Sequence, residues 1–332
     1  MKHRSIAVVL ALGTTTSACA RSRTPADAAG LPAGDHRITL AHDGRDRVYF
    51  LHVPPTPVSA QPLPVMVAYH GGGGSAEGFQ DYAGLDNVAD RETFLVVYPD
   101  GIGAAGLHTW NAGRCCGRAM QDRADDVGFT AAILSDLAGR LPIDRRRVYA
   151  TGHSNGAMMA YRLAAERADI VAAIATVAGA MILDAPFRPS RAVPVLHIHS
   201  ADDPRALYDG GLGPPFPLTN QRVHHEPVAA ALAAWIERNG CPTTPFVETT
   251  RRVGAAQVGA GHTATLLVHA PCTSGAPVQH WKLTGAGHGW PGDTDRRRPL
   301  LDALVGPPTA VVDAAEEAWR FVSQFSLPSG GT

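Results

Sequence analysis

The sequence lacks an excess of charge of either sign. Its 29 lysine and arginine residues stand against 30 aspartate and glutamate residues, giving a formal net charge of -1 at pH 7. Proteins that bind nucleic acids or anionic membrane surfaces usually carry a basic excess. The charge balance therefore indicates neither partner. With 45% hydrophobic and 18% charged residues, the composition is that of a globular protein with a sizeable core.

An apolar run long enough to span a bilayer is missing from the N-terminus. A basic start, Lys2–Arg4, is followed by the short apolar run Ile6–Leu12 and then by small residues. A membrane-spanning helix needs about 20 apolar residues. Residues 1–20 are therefore interpreted as an export signal, and we expect a secreted protein.

Two ways of processing this signal remain open. The segment Thr16–Cys19 resembles a bacterial lipobox, in which Cys19 carries a lipid and becomes the mature N-terminus. Ala18–Ala20 also fits an A-x-A cleavage site, which would release a soluble protein. We favour the lipoprotein, so membrane attachment is expected only through a lipid on Cys19. Residues 21–35 are rich in Ala, Pro, Gly and Asp and are interpreted as a flexible tether.

Cysteine is scarce, with five residues in the chain. Without Cys19, Cys115, Cys116, Cys241 and Cys272 remain, and their spacings fit no zinc site. An exported protein can hold disulfides. We predict a Cys241–Cys272 disulfide, worth roughly 3–4 kcal/mol in the chain-entropy description. Cys115 and Cys116 then form either a vicinal pair or free thiols.

Short apolar runs rich in Val and Ile recur along the chain, and helical patterns lie between them. The predicted strands are Val48–Val53, Val65–Tyr69, Phe94–Tyr98, Val148–Ala150, Val171–Val177, Val195–Ile198 and Val278–Leu283. The predicted helices are Asp126–Arg140, Asn155–Glu166, Val228–Arg238 and Ala310–Phe325. This alternation indicates an α/β fold with a mostly parallel central sheet flanked by helices. We expect one domain over residues 36–326, followed by a tail at 327–332.

The segment Gly152–Gly156 forms a G-x-S-x-G box between a predicted strand and a predicted helix. Serine at such a corner sits on a sharp turn that exposes its hydroxyl, and flanking glycines avoid collisions with the neighbouring backbone. Ser154 is therefore the candidate nucleophile.

A serine nucleophile needs a histidine base, which a carboxylate orients. Asp202 and Asp203 both follow the strand Val195–Ile198, and Asp203 is preferred. His288 lies in a glycine-rich loop after the last predicted strand and is the candidate base. His197 and His199 alternate with apolar residues along one strand and are interpreted as structural.

The developing oxyanion requires backbone N–H donors. One is expected from Asn155, directly after the candidate nucleophile, and the other from Gly71 and Gly72 in the glycine run that follows His70. No Walker-type Lys-Ser/Thr pair follows this run and no G-x-G-x-x-G opens a helix there, which argues against a nucleotide site. We expect neither a metal nor an organic cofactor.

Several motifs in this order resemble the extracellular esterase family of poly(3-hydroxybutyrate) depolymerases and feruloyl esterases. They are His70–Gly74, Trp110–Gly113 with Cys115–Gly117, Asp125–Phe129, Gly152–Met159 and Gly287–Gly292. The resemblance implies the α/β-hydrolase fold and ester hydrolysis by a Ser-His-Asp triad. It places the acid in an Asp-Pro pair, which matches Asp203 and Pro204.

The leading hypothesis is a secreted serine esterase similar to polyhydroxybutyrate depolymerases, acting through an acyl-enzyme on small or oligomeric esters. One alternative is a feruloyl or acetyl esterase acting on carbohydrate-linked esters. An alternative of another class is a non-catalytic surface binding protein with an esterase fold. Trp110 and Trp290 are candidate substrate-lining residues, with a position in the core as the equal alternative. His153 is a third candidate, with packing as its alternative. Two irregular stretches, residues 101–123 and 209–219, are either functional loops or surface decoration.

Overall fold

A computed structural model describes residues 31–55, 61–104, 106–216, 221–292 and 304–329. The predicted export signal and Cys19 lie outside the described residues, as do most of the predicted tether and residues 330–332 of the tail. Among the described residues, no helix combines the length and apolar character needed to cross a bilayer.

A ten-stranded sheet forms the centre of the molecule, in the order β1-β2-β4-β3-β7-β8-β9-β14-β13-β12. The six strands from β4 to β14 in this order run parallel, whereas β1, β2, β13 and β12 pair antiparallel at the two edges. Two short hairpins, β5-β6 and β10-β11, lie outside it. The strands are β1 (Gly34–His42), β2 (Arg45–Val53), β3 (Leu63–Tyr69), β4 (Leu95–Pro99), β5 (Ile102–Ala104), β6 (Leu107–Thr109), β7 (Ile143–His153), β8 (Ala173–Val177), β9 (Val195–Ser200), β10 (Gly211–Leu212), β11 (His224–His225), β12 (Phe246–Arg252), β13 (Thr263–His269) and β14 (Val278–Thr284).

Helices cover both faces of the sheet. The central strands β3, β8 and β9 are therefore buried along their whole length. Apolar residues of α4, α5 and α6 form one core layer, and those of α1, α2 and α7 form the other. The helices are α1 (Ala76–Ala83), α2 (Leu85–Glu92), α3 (Gly117–Gln121), α4 (Asp126–Ala138), α5 (Asn155–Glu166), α6 (Val228–Asn239) and α7 (Ala314–Val322).

Each strand and each helix predicted from the sequence corresponds to an element of the structure, with ends that differ by a few residues. The sequence patterns did not predict β1, β12 and β13, the two hairpins, or the helices α1 to α3. β1 begins at Gly34, inside the segment 21–35 that we assigned to the tether. This strand pairs with β2 over its full length, so the ordered part of the chain begins before residue 36.

The sulfur atoms of Cys241 and Cys272 lie 2.06 Å apart, which is disulfide distance. This geometry agrees with the predicted pairing and joins the end of α6 to the turn between β13 and β14. Cys115 and Cys116 are both buried and are paired with one another in the structure. Of the two readings left open for this pair, the structure therefore agrees with the vicinal disulfide.

Candidate active site

Ser154 stands at the corner between β7 and α5. Its φ of 55° is positive, a conformation that residues other than glycine rarely adopt. A Cβ on Gly152 would lie 2.5 Å from the carbonyl oxygen of Gly156, and one on Gly156 would lie 2.5 Å from that of His70. Because neither position tolerates a side chain, the two glycines let the tight turn form and expose the serine hydroxyl.

The structure brings Ser154, His288 and Asp203 together from three distant parts of the chain. His288 Nε2 lies 2.9 Å from Ser154 Oγ, and its Nδ1 lies 2.7 Å from Asp203 Oδ2. Ser154 follows β7, Asp203 follows β9, and His288 follows β14, so all three stand at the carboxyl edge of the parallel strands. This is the arrangement in which a histidine can accept a serine proton while a carboxylate fixes its tautomer.

Asp203 is a buried carboxylate whose two oxygens are both hydrogen-bonded. Oδ1 accepts the backbone N–H groups of Arg205 and Ala206, at 2.7 and 2.9 Å. Burial alone would raise its pKa, but the adjacent His288 and the hydrogen bonds from His199 and His288 outweigh this and hold the pKa of Asp203 well below its ordinary range. Asp203 is therefore ionised at neutral pH.

Asp202 occupies a different position. Its side chain is turned to the loop before His288, where Oδ2 accepts the backbone N–H of Gly285 at 2.7 Å. The residue is exposed, whereas Asp203 is buried. Of the two candidate acids, Asp203 is the one in contact with His288.

The glycine run after β3 passes directly beside Ser154. A Cβ on Gly71 would lie 3.6 Å from Ser154 Cβ, and one on Gly72 would lie 3.4 Å from Asn155 Cβ. Gly73 N–H donates to His108 O and Gly74 N–H to Gly71 O. Gly71, Gly72 and Asn155 thus lie together beside Ser154, as an oxyanion site built from backbone N–H donors requires.

Trp110 is hydrogen-bonded to His70, directly before this glycine run, and to Asn155. Its indole Nε1–H donates to His70 O at 2.9 Å, and its backbone N–H donates to Asn155 Oδ1 at 2.7 Å. The side chain is fully buried. Of the two alternatives for Trp110, its burial agrees with a core position. The indole holds the His70 carbonyl, and the Trp110 backbone N–H holds the side chain of Asn155.

Trp290 and His153 are also buried rather than presented to a substrate. Trp290 Nε1–H donates to Ala83 O at 3.0 Å, which ties the His288 loop to the end of α1. His153 Nε2 lies 2.6 Å from His288 O and fixes the backbone of that same loop. For these two residues as well, burial agrees with the packing alternative, and their polar atoms hold the His288 loop.

His70, Asp100 and His108 are close enough to one another to hold a metal ion. Gly101 N–H donates to His70 Nε2 at 3.0 Å, which uses the only lone pair of that nitrogen, and His70 Nδ1–H donates to Gly71 O at 2.8 Å. His108 Nδ1 pairs with Asp100 Oδ1 at 2.9 Å. These atoms are thus already hydrogen-bonded within the protein. Through these bonds the three residues connect the β5-β6 hairpin to the glycine run.

The stretch 209–219 contributes a side chain that the sequence analysis did not single out. Phe216 Cε1 would lie 3.7 Å from a Cβ on Gly72, so its ring stands beside the oxyanion site. The guanidinium of Arg205 lies 5.7 Å from the centre of this ring. A lone Phe in a proline-rich loop carries no signal of such a position, because only the tertiary path of the loop brings it there.

Three buried histidines outside the proposed triad stay neutral at ordinary pH. Burial lowers the pKa of His70 to about 4 and the pKa values of His153 and His280 to about 3. In the opposite direction, the hydrogen bond to Asp100 raises the pKa of His108. For His52, burial opposes a rise in the pKa, but hydrogen bonds to Asp35 and Asp90 outweigh it.

We expect the free energy of unfolding to fall as the pH drops from about 6.5 towards 4, where the unfolded chain takes up protons that buried His70, His153 and His280 do not. Each contributes a slope of up to about 1.4 kcal/mol per pH unit. His52 and His108, whose pKa values are raised, reach their full stabilising effect as the pH falls to about 6.5 and add no slope below it. We therefore expect a net loss of about 1 kcal/mol or more per pH unit. Thermal unfolding at pH 7, 6 and 5 measures the slope. The variant His280→Phe should flatten it, and equal stabilities at pH 7 and 5 would contradict the assignment.

Comparisons with known proteins agree with this geometry. Residues 47–227 match the family model described as Esterase PHB depolymerase. The protein named "Putative esterase NocK" from Nocardia uniformis subsp. tsuyamanensis is 32% identical over 84% of this chain and 80% of its own length. Feruloyl esterase B from Piromyces equi is 26% identical over 80% of this chain, which spans only 42% of that protein.

A solved structure shows the same architecture. The acetyl xylan esterase from Aspergillus awamori superposes with a TM-score of 0.52 at 15% identity, covering 77% of this chain and 94% of that one. At this identity the likeness concerns the fold alone. Together with the mostly parallel sheet between two helical layers, it confirms the predicted α/β-hydrolase fold.

Proposed function

Because the chain belongs to the Esterase PHB depolymerase family, a family of ester hydrolases, we propose that it cleaves carboxylic esters with a triad of Ser154, His288 and Asp203. The observation that carries the proposal is the continuous series of hydrogen bonds from Ser154 Oγ through His288 to Asp203. A serine with positive φ, directly beside the glycine run, presents the hydroxyl to that series.

The proposed reaction proceeds in two halves. Ser154 Oγ attacks the ester carbonyl carbon while His288 Nε2 takes the hydroxyl proton, and the N–H groups of Gly72 and Asn155 bind the oxyanion. When the tetrahedral intermediate collapses, the ester C–O bond breaks and His288 returns the proton to the leaving alcohol. Water then attacks the acyl-enzyme by the same route, which releases the acid and restores Ser154. Asp203 stays ionised and orients His288 throughout.

Short hydroxyacyl esters, of the kind found in polyhydroxybutyrate oligomers, are the leading substrate class. The family described as Esterase PHB depolymerase supports this choice. Feruloyl esters are the second candidate, for two reasons: a relative is named feruloyl esterase B, and the ring of Phe216 stands beside the oxyanion site, where an aromatic acyl group can stack. Acetyl esters of carbohydrates belong to this second candidate. We further propose that the enzyme is exported, with a lipid on Cys19 as its attachment.

The proposal is tested by labelling the purified protein with a fluorophosphonate probe, which reacts with activated serines, and mapping the adduct. We expect the adduct on Ser154, and hydrolysis of p-nitrophenyl butyrate by the unlabelled protein only. A protein that neither reacts with the probe nor hydrolyses any ester would favour the alternative of a binding protein with an esterase fold. Rates on hydroxybutyrate trimers, methyl ferulate and acetylated xylan, measured side by side, decide between the substrate classes.

A further inference from the structure

A second histidine donates to the carboxylate of Asp203. His199 Nε2 lies 3.1 Å from Oδ2, the same oxygen that lies 2.7 Å from His288 Nδ1. His199 is on β9, and its side chain is almost completely buried. Asp203 therefore has one histidine on the side of Ser154 and another on the side of the core.

The proton positions in this second contact follow from the partners. His199 Nε2 also lies 2.9 Å from the carbonyl oxygen of Ala206. A carbonyl oxygen and a carboxylate can only accept, so Nε2 must carry the proton and donate to both. His199 Nδ1 then has a lone pair, and it accepts from His197 Nε2 at 3.0 Å.

His197 continues the series into the core. Its Nε2 carries the proton that it donates to His199, so its Nδ1 is an acceptor. The hydroxyl groups of Tyr161 and Thr176 lie 3.1 and 2.9 Å from this nitrogen. Burial lowers the pKa of His197 well below its usual value, and His199 and His280 beside it act in the same direction, so the ring stays neutral. Each donor in the series thus points towards Asp203.

We propose that His199 is a positioning residue for the esterase reaction, which holds the triad carboxylate from its rear side through the series Tyr161 or Thr176, His197, His199, Asp203. This inference rests on the proposed triad. A buried carboxylate without a cationic partner must be stabilised by hydrogen bonds to its charged form. Asp203 has four such donors, and the one from His199 is reinforced by the neutral, uniformly oriented series behind it.

Other ionisable groups surround this series on every side. Tyr208 meets the His199 ring edge to face at 5.7 Å, and it stacks on His280 of β14. Lys282 of β14 lies over the outer face of Tyr208, with its amino group 5.2 Å from the ring centre. His225 of β11 is buried near Asp203, and burial lowers its pKa to about 4. The lowered pKa values of His280 and His225 and the raised pKa of Tyr208 keep these three side chains neutral at pH 6 to 9. Lys282 and Arg205 are therefore the nearby permanent charges.

The test compares two replacements of similar length, His199→Met and His199→Gln. Methionine removes the donor to Asp203, whereas the glutamine amide supplies an N–H near the position of Nε2. We expect His199→Met to lower kcat for p-nitrophenyl butyrate by about 10- to 100-fold with an almost unchanged KM, the loss typical of one hydrogen bond to a charged group. His199→Gln should recover most of this loss.

The pH profile separates positioning from a merely structural effect. Without the hydrogen bond from His199, the negative charge of Asp203 interacts more strongly with protonated His288. We therefore expect the pKa of His288 to rise in this variant. The acid limb of kcat/KM should therefore move to higher pH by about half a unit or more in His199→Met, and return in His199→Gln. Equal activities in the two variants, or a loss in His199→Met without movement of the limb, would overturn the proposal.

Nitrogen-15 NMR of histidine-labelled wild-type protein provides a test that needs no variant to fold. We expect His199 to carry its proton on Nε2 and to show a downfield N–H signal in addition to that of His288. A proton on Nδ1 of His199 would overturn the proposal. Failure of the triad itself is distinguishable, because it would appear as retained turnover in Ser154→Ala, whereas a failure confined to His199 leaves Ser154→Ala inactive.

Discussion

Replacing Ser154 with alanine should lower kcat for p-nitrophenyl butyrate by at least about 10,000-fold, because the acyl-enzyme can no longer form. The fold should survive the change. Ser154 Oγ contacts His288 at the surface of the turn, and alanine keeps the Cβ that the turn already accommodates. We therefore expect the thermal midpoint to stay close to that of the wild type. Steady-state kinetics and circular dichroism on the same preparation measure both quantities.

Ser274→Ala is the matched control for this experiment. The Ser274 hydroxyl donates to Asn239 O at 2.7 Å, beside the Cys241–Cys272 pair and away from the carboxyl edge of the sheet. Its loss should leave kcat unchanged. A Ser154→Ala protein that still hydrolyses the ester at more than about 1% of the wild-type rate would refute the assignment of the nucleophile.

Asp203→Asn should lower kcat by about 10,000-fold, the effect expected when the acid behind a catalytic histidine loses its charge. The structure adds a reason, because Oδ2 receives two imidazole N–H groups and Oδ1 receives two backbone N–H groups. An asparagine amide would turn a donor towards one of these pairs. The histidine would then lose either its orientation or its tautomer.

Asp202→Asn provides the comparison at the neighbouring position. Asp202 accepts a single hydrogen bond, from Gly285 N–H, and an asparagine carbonyl can still accept it. We expect activity close to that of the wild type, measured in the same assay. A large loss in Asp202→Asn together with an active Asp203→Asn would reverse the assignment of the acid.

Much of the site could be predicted from the sequence, because its motifs combine residue type with place in the fold. The G-x-S-x-G box marks a strand-to-helix corner, and a histidine in a glycine-rich loop after the last strand can reach such a corner. The choice between Asp202 and Asp203 was harder. It depends on which of two adjacent residues in the turn after β9 faces His288, and local sequence patterns do not determine this.

The contacts behind the site were out of reach of the sequence. His199 was interpreted as structural because it alternates with apolar residues along a strand, yet its ring contacts Asp203. Whether Trp110 lines the substrate or packs in the core stayed open, because an exposed and a buried tryptophan have the same appearance in a sequence. The burial of Trp110 depends on the tertiary path of residues 107–116 against the glycine run, which the sequence does not show.

For the fold as well, the sequence predicted the central elements and missed several peripheral ones. The central strands were predicted because parallel strands buried on both faces appear as unbroken Val- and Ile-rich runs. β1 and β12 escaped detection because they are edge strands with many polar residues and almost no fully buried position, as in the sequence Phe-Val-Glu-Thr-Thr-Arg-Arg of β12. α1 and α2 have eight residues each, too few for a helical period to stand out.

The three side chains of the proposed triad follow β7, β9 and β14, whereas Phe216 belongs to the longer segment between β9 and α6. Strand ends are held by the ladder on both sides, and a segment of this kind is held by its own few contacts. In the proposed function, the reacting groups and the aromatic ring beside them thus lie in separable parts of the chain. Changes confined to the segment between β9 and α6 should alter substrate preference and leave the contacts of the triad intact.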